Sequence, residues 1–223
     1  MREPNHPETA ESLRRRLFVA LTLDGSTRDE LERVQGLLLP DLAHPRLTSR
    51  HNLHLTLVFL GEQTLRQEAD ATRAMCAATR AFADAGGTSF RLSLGDLGCF
   101  ERRSRSVVWM GLRRTGSARA GYGSLMKLQA LLEAELVLTG LKTERRPFRP
   151  HITLARGCRV APGTGEKSME DLLLRRSREF GLAAEVGADE KCPSFGVDGI
   201  SLMWSHHPAG GALAYSELSR CSL

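Results

Sequence analysis

The sequence predicts an α+β fold with largely antiparallel sheets. Strand-like apolar runs and segments with helical spacing are interleaved, they show no regular βαβ rhythm, and the last two strand candidates flank a hairpin signal. A chain of 223 residues suits one domain or two small lobes. Residues 1 to 13 are polar, hold two prolines and read as a loose tail, which leaves 14 to 223 as the folded domain.

Arg16 to Leu23 is a strongly apolar strand candidate, followed by a turn with a capping signal at Asp24-Gly25-Ser26. Thr27 to Leu39 reads as a helix stopped by Pro40. Asn52 to Leu60 alternates as a strand does, and Thr64 can cap a long helix ending near Ala85, before Gly86-Gly87. Two strands, Phe90 to Leu97 and Ser106 to Leu112, enclose the basic loop Glu101-Arg102-Arg103-Ser104-Arg105. Ser124 to Leu138 is a helix with Leu128, Leu131, Leu132 and Leu136 near one face. Arg149 to Ala155 reads as a strand and Ser168 to Phe180 as a helix, and Gly199 to Trp204 and Ala212 to Leu218 are strands around His207 to Gly211.

Composition removes several classes. With 41% hydrophobic and 26% charged residues the chain is neither disordered nor a coiled coil. No apolar run approaches the roughly 18 residues of a membrane span, and Leu17 to Leu23 is too short for a signal sequence. Five cysteines (Cys76, Cys99, Cys158, Cys192, Cys221), odd in number and without a C-x-x-C pair, argue against a disulfide framework or a zinc site and for a reducing cytoplasm. The formal charge of +5 invites a polyanion, and its source is local. Residues 142 to 178 hold ten Lys or Arg against four acids, while the remainder is close to neutral. Twelve aromatics are few for a long base-stacking platform, so the charge suits a phosphorylated end better than an extended nucleic acid.

One motif carries chemistry. His54-Leu55-Thr56-Leu57 recurs as His151-Ile152-Thr153-Leu154. With 7 His, 14 Thr and 35 Leu in the chain, roughly 0.07 such strings are expected by chance. In a strand, residues i and i+2 share a face. Each copy therefore presents an imidazole and a hydroxyl on one side and buries its apolar residues on the other. Two such strands across a cleft would set two imidazoles on opposite sides of one substrate atom. Metal-free phosphodiester cleavage needs that pair, one ring to take a proton from water and one to protonate the leaving oxygen. The Thr hydroxyls suit the non-bridging oxygens, where charge builds.

These residues resemble the two-histidine phosphoesterases. Asn52 to Glu62 is similar to the first family motif and Arg146 to Arg156 to the second. The resemblance narrows to the RNA 2′,3′-cyclic phosphodiesterases, also called 2′–5′ RNA ligases. It takes in Arg16 to Ala20, Leu97 to Phe100, Val108 to Gly111, Ser205 and Tyr215. It implies a bilobal fold with two pseudo-symmetric lobes around a cationic central cleft, and hydrolysis of a terminal 2′,3′-cyclic phosphate to a 2′-phosphate. By family analogy His54 is the acid and His151 the base, an assignment that the residues alone leave open. The implied partner is RNA with a cyclic phosphate end, tRNA fragments among them, with no cofactor, metal, membrane or obligate protein partner. A non-catalytic RNA-end binder, or a related phosphodiesterase for another cyclic or 2′–5′ nucleotide, are the alternatives.

Further candidates divide between site and scaffold. Arg149 lies at i−2 from His151 and so on its face. Arg156, five residues on, faces away from His151 on a regular strand, so an ion pair is the alternative to the phosphate contact that its family position implies. Phe18 either covers a base or fills the core, and Ser205 is a candidate RNA contact. Arg102, Arg103 and Arg105 either track an RNA backbone or form a solvated loop. Two decoys fail: Gly163 to Ser168 lacks the glycine that a Walker loop needs before Lys167, and Val197-Asp198-Gly199 lacks the lysine of an ATP-dependent ligase.

Overall fold

The computed structural model of the chain describes residues 13–102, 105–143, 146–182 and 193–223, without the side chain of Arg102. The first strand, β1, covers Arg14–Thr22. Helix α1 (Gly25–Leu38) is capped by Asp24, whose carboxylate accepts from the Thr27 amide at 2.7 Å. A 3-10 turn at Leu39–Asp41 carries Pro40 where the helix stops. Two short strands follow, β2 (Leu42–Ala43) and β3 (Arg46–Leu47), then β4 (His54–Thr64). Helix α2 (Leu65–Asp84) opens with a full capping box between Thr64 and Gln67. Next come β5 (Phe90–Arg102), β6 (Arg105–Leu112) and helix α3 (Arg119–Leu138). The chain continues through β7 (Ile152–Val160), the Ser168-capped helix α4 (Met169–Glu179), β8 (Ser194–Val197), β9 (Gly199–His206) and β10 (Ala214–Ser222).

The expected α+β class and antiparallel pairing are both present. The main path runs β10-β9-β1-β4-β7-β6-β5-β8, and β2 and β3 pair with β7. All these pairings are antiparallel. The two motif strands, β4 and β7, lie side by side at the centre of the path. They meet at one bridge, Leu55 opposite Ile152, and both residues are fully buried. A single apolar cluster joins β1, β4, β6, β7 and β9 to the helices and so spans both halves of the sheet. In α3 the buried stripe is Leu125, Leu128, Leu132 and Leu136, with Leu131 only partly covered.

Several boundaries differ from the sequence expectation, each for a physical reason. Residues 149 to 151 precede β7: Pro150 has no amide to donate, so the ladder starts at Ile152. The two-residue strands β2 and β3 are too short to show alternation, and β8 carries Gly196 in its middle. Helix α3 begins five residues before the expected Ser124 despite two early glycines. One cysteine expectation is also corrected: Cys76 in α2 and Cys221 in β10 form a disulfide across 145 residues of sequence, with Cα atoms 5.4 Å apart. The packing of α2 on the last strand creates that pair, so no local spacing signals it, and an odd cysteine count therefore says nothing about the compartment. Among the described residues, no helix is long and apolar enough to cross a membrane. The N-terminal tail through residue 12, as well as Arg103 and Ser104, lies outside the described residues.

Gly121 offers a test of this packing. A Cβ there would lie 1.9 Å from the Arg91 carbonyl oxygen. Helix propensity alone predicts that Gly121→Ala stabilises α3 by up to about 1 kcal/mol. The clash with backbone should win and destabilise the protein by about 1–3 kcal/mol, seen as a lower midpoint in urea unfolding.

Candidate active site

The bridge between β4 and β7 sets the geometry. Leu55 and Ile152 point into the core, so their sequence neighbours point the other way. Counting one residue outward in antiparallel register brings His54 opposite Thr153 and Thr56 opposite His151. The repeated motif thus becomes a local two-fold arrangement of two imidazoles and two hydroxyls, and all four side chains line one cavity of about 1530 Å³.

Both rings are held in the same way. His54 Nδ1–H donates to the Asn52 carbonyl and His151 Nδ1–H to the Arg149 carbonyl, each at 2.7 Å. A carbonyl only accepts, so these contacts fix the proton on Nδ1 and leave Nε2 of the neutral ring as the working atom. The two sites then diverge. His54 Nε2 lies 2.9 Å from the Thr56 hydroxyl, which can donate to it. Among the described residues no group bonds His151 Nε2 or the Thr153 hydroxyl. Asn52 also ties the site to the last hairpin, its side-chain amide donating to the Leu213 carbonyl at 2.8 Å.

A β-bulge decides where Arg156 stands. Thr153 pairs with Trp109 but Ala155 with Val108, so Leu154 is an extra residue in β7. The extra residue shifts the alternation, and Arg156 returns to the face of His151 and Thr153, into the cavity. The regular-strand expectation that it faces away is corrected on this ground. Strand β4 bulges at the matching place, since Thr56 pairs with Ala20 and Val58 with Val19. There the returning residue is Phe59, and the Arg16 guanidinium sits over its ring, 5.0 Å from the centroid.

Aromatic walls back both histidines. Phe18 and Tyr215 lie 4.9 and 5.1 Å from the His54 ring, with Tyr215 edge-on. Phe18 is buried yet lines the cavity, so it serves wall and core together. On the other side Phe100 stands edge-on to His151 at 4.9 Å and Trp109 lies 6.1 Å away. Gly98 makes room for that indole: a Cβ there would come within 2.2 Å of it. The aromatic partners come from β1, β5, β6 and β10, far from the motifs in sequence. No pattern local to His54 or His151 identifies them.

Four arginines, Arg16, Arg146, Arg149 and Arg156, line the cavity together with Glu62, Glu101 and Glu133. Among the described residues none of these arginines is held in an ion pair, unlike Arg176, which is locked to Asp41 away from the cavity. Ser205 also lines the cavity, whereas Arg105 at the start of β6 does not. Burial pushes the His54 pKa down to about 4, and the Asn52 hydrogen bond only partly offsets it. The charges of Arg156 and His151 lower it further. His151 is also lowered by burial, against the pull of the Arg149 carbonyl, and again by Arg156. One guanidinium thus acts on both rings.

Residues 23–207 match the model of the 2′-5′ RNA ligase superfamily. A Thermotoga maritima protein named RNA 2′,3′-cyclic phosphodiesterase is 30% identical over 158 residues, 70% of this chain and 77% of its own length. An Escherichia coli protein of the same name is 34% identical over 141 residues, 63% of this chain and 71% of its own. Among solved structures, E. coli LigT with 3′-AMP aligns over 95% of this chain and 99% of its own, at 27% identity and a TM-score of 0.64.

The lowered pKa of His54 has a measurable consequence. The unfolded chain takes up a proton there near pH 6.5, whereas the folded ring stays neutral down to about pH 4. Acid therefore favours unfolding progressively across that window, by an amount on the order of 3 kcal/mol for this group. Unfolding free energy measured from pH 7.5 to 4.5 should fall less steeply in His54→Gln than in the wild type. Parallel curves would contradict a buried, neutral His54.

Proposed function

We infer that this chain, which belongs to the 2′-5′ RNA ligase superfamily, hydrolyses the 2′,3′-cyclic phosphate end of RNA to a 2′-phosphate with His54 and His151 as its acid–base pair. The observation that carries this reading is the facing of two His-x-Thr units, both with Nδ1 tied to a backbone carbonyl, in one cavity with arginines that form no ion pair among the described residues. The names of the Thermotoga and E. coli relatives supply the substrate class.

The reaction uses the asymmetry of the two sites. His151 Nε2 has an open lone pair and takes a proton from water as the water oxygen attacks phosphorus. The bond from phosphorus to the 3′ oxygen breaks, and His54, protonated on Nε2, gives its proton to that oxygen. The product carries the phosphate on the 2′ oxygen. In the free protein both rings favour neutrality, and the arriving phosphate anion stabilises the imidazolium that the acid must be. When Nε2 of His54 carries a proton, the Thr56 hydroxyl no longer donates to it and is released for a phosphate oxygen. Thr153, Arg149 and Arg156 complete the proposed phosphate site. Burial strengthens these contacts as charge builds on the non-bridging oxygens. If an RNA 5′-hydroxyl replaces water, the same displacement leaves a 2′–5′ linkage without ATP.

His54→Ala and His151→Ala should each lower turnover of an RNA 2′,3′-cyclic end by at least about 100-fold while unfolding remains cooperative. Near-normal turnover in both would defeat the assignment. EDTA should leave turnover unchanged, because both proton transfers are assigned to side chains, and strong inhibition would point to a metal-dependent route.

A further inference from the structure

Three hydrogen-bond donors on the His54 side of the cavity take no part in the proposed reaction. Cross-strand register sets Arg16 of β1 beside Ser205 of β9, and Ser205 beside Tyr215 of β10. All three line the cavity. Among the described residues no acceptor takes a hydrogen bond or ion pair from the Arg16 guanidinium, the Ser205 hydroxyl or the Tyr215 phenol. Neighbours in the same strands are satisfied within the protein: Arg15 pairs with Glu68, Ser201 donates to Glu217, and Ser216 bonds His206. Glu62 stands across from Arg16 in register, yet no ion pair joins them.

The row is built for an anion. The Phe59 ring holds the long Arg16 side chain without neutralising its charge. A guanidinium and two hydroxyls offer charge-assisted bonds to the two non-bridging oxygens of a phosphodiester. The row is also displaced from the reacting centre. Arg16 lies two residues, roughly 7 Å, beyond Phe18 along β1, while the ring of Phe18 itself contacts His54. At the other end of the row, the Tyr215 ring stands against His54 and links the two places. Arg156 already serves the reacting centre from β7 and acts on both histidines.

We propose that Arg16, Ser205 and Tyr215 bind the phosphodiester joining the terminal nucleotide to its 5′ neighbour, so that the site selects the end of a polynucleotide over a free cyclic mononucleotide. This rests on the phosphodiesterase reading above and adds a second phosphate subsite to it. Arg16→Met keeps an apolar side chain against Phe59 and removes the charge. Tyr215→Phe keeps the ring against His54 and removes only the hydroxyl.

The test compares kcat/KM for uridine 2′,3′-cyclic phosphate with that for a dinucleotide ending in the same group. The ratio of the two is insensitive to the fraction of protein folded. The wild type should favour the dinucleotide. That preference should fall at least about 10-fold in Arg16→Met and about 3-fold or more in Tyr215→Phe, and Arg16→Lys should restore part of it. A wild type that uses both substrates equally well, or a preference unchanged in Arg16→Met, would overturn the second subsite while leaving the phosphodiesterase reading intact. A wild type that turns over neither substrate overturns both.

Discussion

One backbone bridge organises the site. Leu55 and Ile152 are the point at which two strands from distant parts of the chain touch, and both are buried to zero exposure. Because side chains alternate on a strand, burying that pair forces His54, Thr56, His151 and Thr153 onto the opposite face. A slip of one residue in either strand would turn a histidine into the core and a leucine into the cavity. The apolar residues of the motifs therefore set the geometry that the polar ones use.

Around this centre the protein places charge against burial. Desolvation by the aromatic walls disfavours the imidazolium form of both rings, and Arg156 adds to this. Arginines that have no acidic partner among the described residues face the same cavity. An incoming anion reverses the balance, since it satisfies the guanidinium groups and favours a proton on a ring. On the proposed reading, the site is poised for a phosphate before one arrives. The matching bulges in β4 and β7 extend the two-fold likeness of the motifs into the backbone, but they end on different residues, Phe59 and Arg156. That difference makes the two halves of the cavity unequal.

Much of this was legible in the sequence. The period-two spacing of His and Thr placed them on one face, and the capping signals near Asp24 and at Thr64 marked helix starts that the structure retains. Features that depend on long-range geometry were not legible. The face of Arg156 follows from an extra residue at Leu154 that only the pairing with β6 reveals. The acceptors that fix both rings are backbone carbonyls, which carry no residue signature. The bond between Cys76 and Cys221, and the row formed by Arg16, Ser205 and Tyr215, arise where distant strands and helices pack.

In the roles proposed for them, the two facing histidines direct cleavage to one of the two ester bonds of the cyclic phosphate. Mapping the product formed from an RNA with a 2′,3′-cyclic end tests this most directly. A product carrying only a 2′-phosphate is predicted. A 3′-phosphate would place the leaving group on the other oxygen and contradict the assignment of His54 and His151.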